Sequence, residues 1–206
     1  MNFHSVKSNT VRCLAVLALF VTIIAIPAAA QLSVNQFGPP ASKPGTGACT
    51  TCLAPLPALT AEQTAPLQFM REEEKLARDV YQALYAKWNV RIFDRISESE
   101  QRHFDSIGRQ LTLHGITDPA LDKKAGEFTN PDLQKLYTDL LVKGELSLKD
   151  ALEVGKLVEE TDIEDLEKIL ETETDATLKR VYNSLLNGSL NHLDAFEGYI
   201  EIYSAQ

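Results

Sequence analysis

Cysteine is scarce in this chain of 206 residues: there are three, and Cys13 precedes the first apolar run. Cys49 and Cys52 alone cannot staple a domain of this size, so a core must hold it together. Basic residues are in deficit as well, with 20 Lys and Arg against 29 Asp and Glu and a net charge of −9. An acidic surface repels phosphate backbones, which argues against nucleic acid as a partner. Alternating apolar and polar stretches of useful length are missing, and their absence leaves an all-α chain. Membrane-spanning runs are missing too: the apolar stretch from Leu14 to Ile26 has thirteen residues where roughly 20 are needed.

That stretch reads as an export signal. Lys7 and Arg12 precede it and Pro27-Ala28-Ala29-Ala30 closes it with small residues, predicting cleavage before Gln31; an uncleaved anchor is the alternative. The expectation is an exported protein, periplasmic or secreted, with no stable membrane insertion after cleavage. Losing residues 1–30 removes two positive charges, leaving 18 basic against 29 acidic residues and a net charge of −11. Residues 31–59 follow, with Pro39, Pro40, Pro44, Pro55 and Pro57 and no amphipathic period, which reads as a flexible arm. It contains Cys49-Thr-Thr-Cys52. A thioredoxin-type site would need a strand-helix-strand unit that is lacking here, so a local disulfide stands against a metal or electron relay.

Residues 60–206 carry a helical period. Thr60-Ala-Glu-Gln63 has capping-box spacing, and Leu67, Met70, Ala77, Tyr81, Leu84 and Trp88 recur every three or four residues as a first helix. Ile92, Ile96, His103, Ile107 and Leu111 draw a second, ending at His114-Gly115, where His114 reads as a capping or surface residue. A crossover from Gly115 to Leu146 holds a short extra helix from Pro131 to about Gly144. Ser147 starts a third long helix through Leu148, Leu152, Gly155, Leu166 and Ile169, broken at Glu171 to Asp175. A fourth points Leu178, Val181, Leu185, His192, Phe196 and Tyr199 inward, with Gly188 as its weak point. The acidic run from Glu164 to Glu173 reads as a solvated face, and so do Glu72 and Glu73 beside Lys75 and Arg78.

Charged residues on apolar stripes need a reason, because burying a carboxylate costs several kcal/mol unless a cation or hydrogen bonds compensate. Glu74, Glu100, His103, Glu159 and His192 all occupy such positions. Residues equally far from the turn of an antiparallel hairpin stand at one height. Glu74 mirrors His103 across the first break, and Glu159 mirrors His192 across the second. Each hairpin thus sets a glutamate level with a histidine, which points to a metal site.

A glutamate on one helix and Glu-x-x-His on the next, here Glu74 and Glu100-Gln-Arg-His103, is half of the ligand pattern of ferritin-like di-iron proteins. Four segments extend the likeness: Met70-Arg-Glu-Glu-Glu-Lys-Leu-Ala-Arg-Asp-Val-Tyr81, Ser99-Glu-Gln-Arg-His103, Glu159-Glu-Thr-Asp-Ile163 and Gly188-Ser-Leu-Asn-His192. Together they resemble DUF2202, an uncharacterised bacterial and archaeal ferritin-like family, over residues 64 to 203. The resemblance implies a ferritin-like antiparallel four-helix bundle, with the extra short helix in its crossover. The family brings no established reaction with it; the ligands themselves suit iron at one or two positions, with manganese or zinc as alternatives, and open positions on iron would admit oxygen or peroxide. Tyr81, seven residues after Glu74, takes the place of an inward tyrosine that stabilises an intermediate or relays an electron.

The fourth helix departs from the pattern, reading Ser189-Leu-Asn-His192 where Glu-x-x-His is expected. Asp162, three residues after Glu159 and opposite Ser189 in the hairpin mirror, is the candidate for the missing ligand. The expected function is an iron oxidase or peroxide-consuming protein. The rival is a non-catalytic helical module whose inward polar residues form a hydrogen-bonded network and whose surface serves a protein partner.

Overall fold

A computed structural model of the chain describes Leu56 and residues 58–205. The expected export signal, most of the arm and the Cys49–Cys52 pair lie outside those residues. Within them there are five helices and no strand: α1 (Ala61–Trp88), α2 (Arg91–Leu113), α3 (Pro131–Gly144), α4 (Leu148–Thr172) and α5 (Ala176–Ser204). None is long and apolar enough to cross a membrane.

Local chemistry sets the boundaries. The Gln63 side chain accepts the Thr60 backbone N–H at 3.1 Å, tying down the start of α1, and Asn89 ends that helix in the left-handed conformation at φ 53°. His114 caps α2, as expected, and Gly115 follows at φ 65°. Side-chain oxygens of Asn130, Ser147 and Asp175 accept the first free N–H groups of α3, α4 and α5. Pro131 suits the first position of α3, where its missing N–H costs nothing.

α1 packs along α2 and α4 along α5, making two helical hairpins; α1 also meets α4, α2 meets α5, and α3 lies over α1 and α4. The apolar core divides in two. One cluster gathers Tyr81, Leu84, Phe93, Ile96, Leu152 and Phe196, and the other Leu67, Met70, Ile107, Leu111, Leu178 and Leu185. Each of these side chains contributes roughly 1.5–3 kcal/mol on burial. Along every long helix a polar pair interrupts the passage from one cluster to the other: Glu73 and Glu74, Glu100 and His103, Glu159 and Asp162, Ser189 and His192. The molecule therefore carries a polar layer between two apolar ones.

Three expectations are corrected here. Glu72, Glu73 and Lys75 are buried, and Arg78 is only partly exposed, because residues 115–130 and α3 cover the outer side of α1. The charged groups bind that cover. Glu72 accepts the backbone N–H groups of Thr129 and Asn130, Lys75 donates to Asp79 at 2.5 Å and to the Lys124 carbonyl at 2.7 Å, and Asp79 accepts the Gly126 N–H at 2.9 Å. Arg71 and Asp118 add a salt bridge at 2.9 Å. Glu173 is also buried rather than solvated, accepting from Gln63, Thr174 and Asp175 at 2.7 Å each. Tyr199 lies 41% exposed, since the last turns of α5 run past the core.

Candidate metal centre

The polar layer brings Glu74 from α1, Glu100 and His103 from α2, Glu159 from α4 and His192 from α5 to one place. Glu100 stands at its middle. Its Oε2 lies 2.9 Å from His103 Nδ1, and its Oε1 lies 2.7 Å from His192 Nδ1. Glu74 Oε2 is 3.3 Å from His103 Nδ1, and Glu159 Oε2 is 3.5 Å from His192 Nδ1, so both expected level pairs meet. The two imidazoles lie stacked, 5.6 Å between centroids.

These donors form two groups, Glu74–Glu100–His103 and Glu100–Glu159–His192, and in each the ligand atoms lie within 4.8 Å of one another. Glu100 belongs to both. Although the nitrogen–oxygen separations are short, neither Nδ1 has a hydrogen bond of acceptable direction, and Glu74 Oε1, Glu100 Oε1 and Asp162 Oδ1 lack partners as well. Buried polar atoms are ordinarily paired, and an unpaired one costs about 1–3 kcal/mol. Nitrogen and carboxylate oxygens that stand at ion-pair distance without being aligned for hydrogen bonds suit a common electrophile between them. Carboxylates with imidazoles form a donor set for Fe(II), Mn(II) or Zn(II), so the residues present fit a divalent metal.

Electrostatics point the same way. Burial raises Glu74 well above the usual carboxylate range, helped by the charges of Asp162 and Glu100. Glu159 rises to about 8, through burial and then the Glu100 charge. Burial would raise Glu100 too, but the two histidines outweigh it and bring this carboxylate down to about 2. Desolvation opposes the charging of His192, yet Glu100 and Glu159 carry it to about 9; His103 is raised by Glu100 against the same opposition. Four buried carboxylates, counting Asp162, share the layer with two imidazoles, and the protons that Glu74, Glu159 and His192 hold are the positive charge a bound cation would replace.

Tyr81 is fully buried and its hydroxyl donates to Glu159 Oε1 at 2.6 Å, with the Gly155 carbonyl 3.3 Å away. The tyrosine thus fixes a candidate ligand. Asp162 lies beside the two groups but in neither: its Oδ2 accepts the Ser189 hydroxyl at 2.5 Å, which confirms that these residues face each other. Burial raises Asp162 to about 7, with the Ser189 hydrogen bond working the other way. Gly188, a poor helix former inside α5, also makes room: a Cβ there would lie 2.5 Å from Cε1 and Nε2 of His103. Gly155 does the same for Phe196, whose ring a Cβ would approach to 2.3 Å.

Glu73 is the residue that sequence reasoning missed. It is buried next to the layer, with Oε2 unpartnered. Its signal was a second stripe on α1, Phe69, Glu73, Leu76 and Val80, hidden inside the charged run.

Over the described residues, fold and site together define an all-helical domain with two carboxylate–histidine donor groups joined at one glutamate. The chain belongs to the uncharacterised protein domain family DUF2202, whose model matches residues 63–206. It is 44% identical over 147 residues to the uncharacterised protein MJ0754 of Methanocaldococcus jannaschii, covering 71% of this chain and 80% of that relative. The crystal structure of that hypothetical protein superposes with a TM-score of 0.71 at 43% identity, covering 73% of this chain and 86% of the other.

Proposed function

We propose that this chain is an exported ferritin-like protein that holds a dinuclear iron centre and uses it to oxidise Fe(II) or consume peroxide. One observation carries the reading: Glu100 is shared by two buried donor groups whose nitrogens and oxygens crowd together without hydrogen-bonding. A metal-free polar network, the rival, would align those short nitrogen–oxygen contacts as hydrogen bonds. The pairing of helices into two hairpins, with a short helix in the crossover, agrees with a ferritin-like four-helix bundle.

In this reading Glu74, Glu100 and His103 would hold one metal ion, and Glu100, Glu159 and His192 the other. Iron bound there would supply the redox chemistry toward oxygen or peroxide. The protein's own part is to orient and to exclude water. His103 and His192 offer Nδ1, Tyr81 keeps Glu159 in place through its 2.6 Å hydrogen bond, and the apolar clusters above and below shield the layer. The test is metal analysis of the chain purified from an iron-supplemented host. Close to two iron atoms per chain are expected from the ferritin-like ligand pattern; a preparation essentially free of metal would overturn the reading.

A further inference from the structure

Beside the polar layer, α1, α3 and α4 enclose a small cleft of about 20 Å³, enough for one water-sized particle. Its walls are apolar, formed by Leu76, Leu136, Leu140 and Val158, and Thr161 lies at its partly exposed side. Two carboxylates also line it, Glu73 and Asp162. Both are at least nine-tenths buried, and each has one oxygen without a partner, Glu73 Oε2 and Asp162 Oδ1. Two carboxyl groups with unpaired oxygens in one cleft offer a pair of oxygen donors to a hard cation, which would displace any proton they hold.

Asp162 links this cleft to the centre. Its other oxygen is fixed by Ser189, and it is the strongest charged neighbour of Glu73 on one side and of Glu74 on the other. We infer that Glu73 and Asp162 form an accessory site for one divalent cation, a station from which ions entering between α3 and α4 pass to the two-metal centre. The inference rests on the proposed centre as the ion's destination. The enclosed part of the cleft is too small for a fully hydrated ion, so the two carboxylates would replace the waters on its inner side while those on the open side stay. This assigns Asp162 to the approach, where the sequence suggested a sixth ligand.

The test uses Co(II) as a redox-inert probe of the metal-free full chain. Filling of the centre is followed by stopped-flow ligand-field absorption, and bound Co(II) is counted at equilibrium. Glu73→Gln should fill about tenfold more slowly, because a charged cleft with low-dielectric walls concentrates counter-ions by at least that factor. The band of the centre should reach the same final intensity as in the unmodified chain, while the equilibrium count falls by the one Co(II) of the accessory site. Thr161→Lys, a change at a partly exposed position, should slow filling as well, and less so at high salt. Unchanged filling in both variants would overturn the accessory site and leave the centre standing. Loss of absorption in Glu73→Gln would make Glu73 a ligand of the centre and overturn the station. An unmodified chain that gives no ligand-field absorption would overturn the centre itself.

Discussion

Glu100 and Gly188 show how single residues govern the site in opposite ways, one by what it offers and the other by what it leaves out. Replacing Glu100 and His103 together with alanine should abolish metal binding while circular dichroism keeps its helical amplitude, since alanine favours helix. Gly188→Ala is the sharper case. Alanine gains about 1 kcal/mol in helix propensity over glycine, yet its Cβ would press on His103 at 2.5 Å. Metal affinity should fall about tenfold, as for other disturbances of ligand orientation; a competition titration with a chromophoric chelator would reveal it, and equal affinity would disprove the role. Proton release is the third mark. Glu159 at about 8 and His192 at about 9 hold protons near pH 7 that a metal must displace. Affinity should therefore climb from pH 6 to pH 9, and calorimetry in buffers of different ionisation enthalpy should count the protons.

At the scale of helices, α1 is the element whose context decides its character. Its run of charges pins residues 115–130 and the start of α3, with Lys75 and Asp79 forming a fully buried pair. Lys75→Met should cost about 3 kcal/mol by leaving a buried carboxylate short of a partner, read as a lower midpoint in urea with an unchanged slope. This same run marks where sequence reasoning stopped. Helix ends were legible because Asn130, Ser147 and Asp175 announce themselves by capping chemistry. The Glu–His pairs were legible because antiparallel hairpins turn sequence distance into height. Glu72, Glu73 and Lys75 were not, since charges beside one another normally face water and nothing local tells that a loop from forty or more residues away will cover them. The room that Gly188 gives His103 was equally hidden, being a contact between two hairpins.

For the molecule as a whole, the metal-free state should be most stable in mild acid. Glu159, Asp162 and His192 have folded-state values raised to about 8, 7 and 9, so the stability each contributes is complete below its ordinary value and lost as pH rises through the folded one. Glu100, brought down to about 2, acts in the other direction only below the ordinary carboxylate range. The melting temperature of the metal-free protein should thus decline between pH 6 and pH 9, and bound metal should abolish that decline; a rising or level curve without metal would contradict these assignments. The two donor groups also differ in origin. Glu74, Glu100 and His103 all come from the α1–α2 hairpin, whereas Glu159 and His192 come from α4 and α5 and meet Glu100 only across the interface. The first group can assemble as soon as one hairpin has formed, but the second exists only after the two halves have docked. An ion in the second position would consequently act as a rivet between the halves, and its arrival would report that assembly is complete.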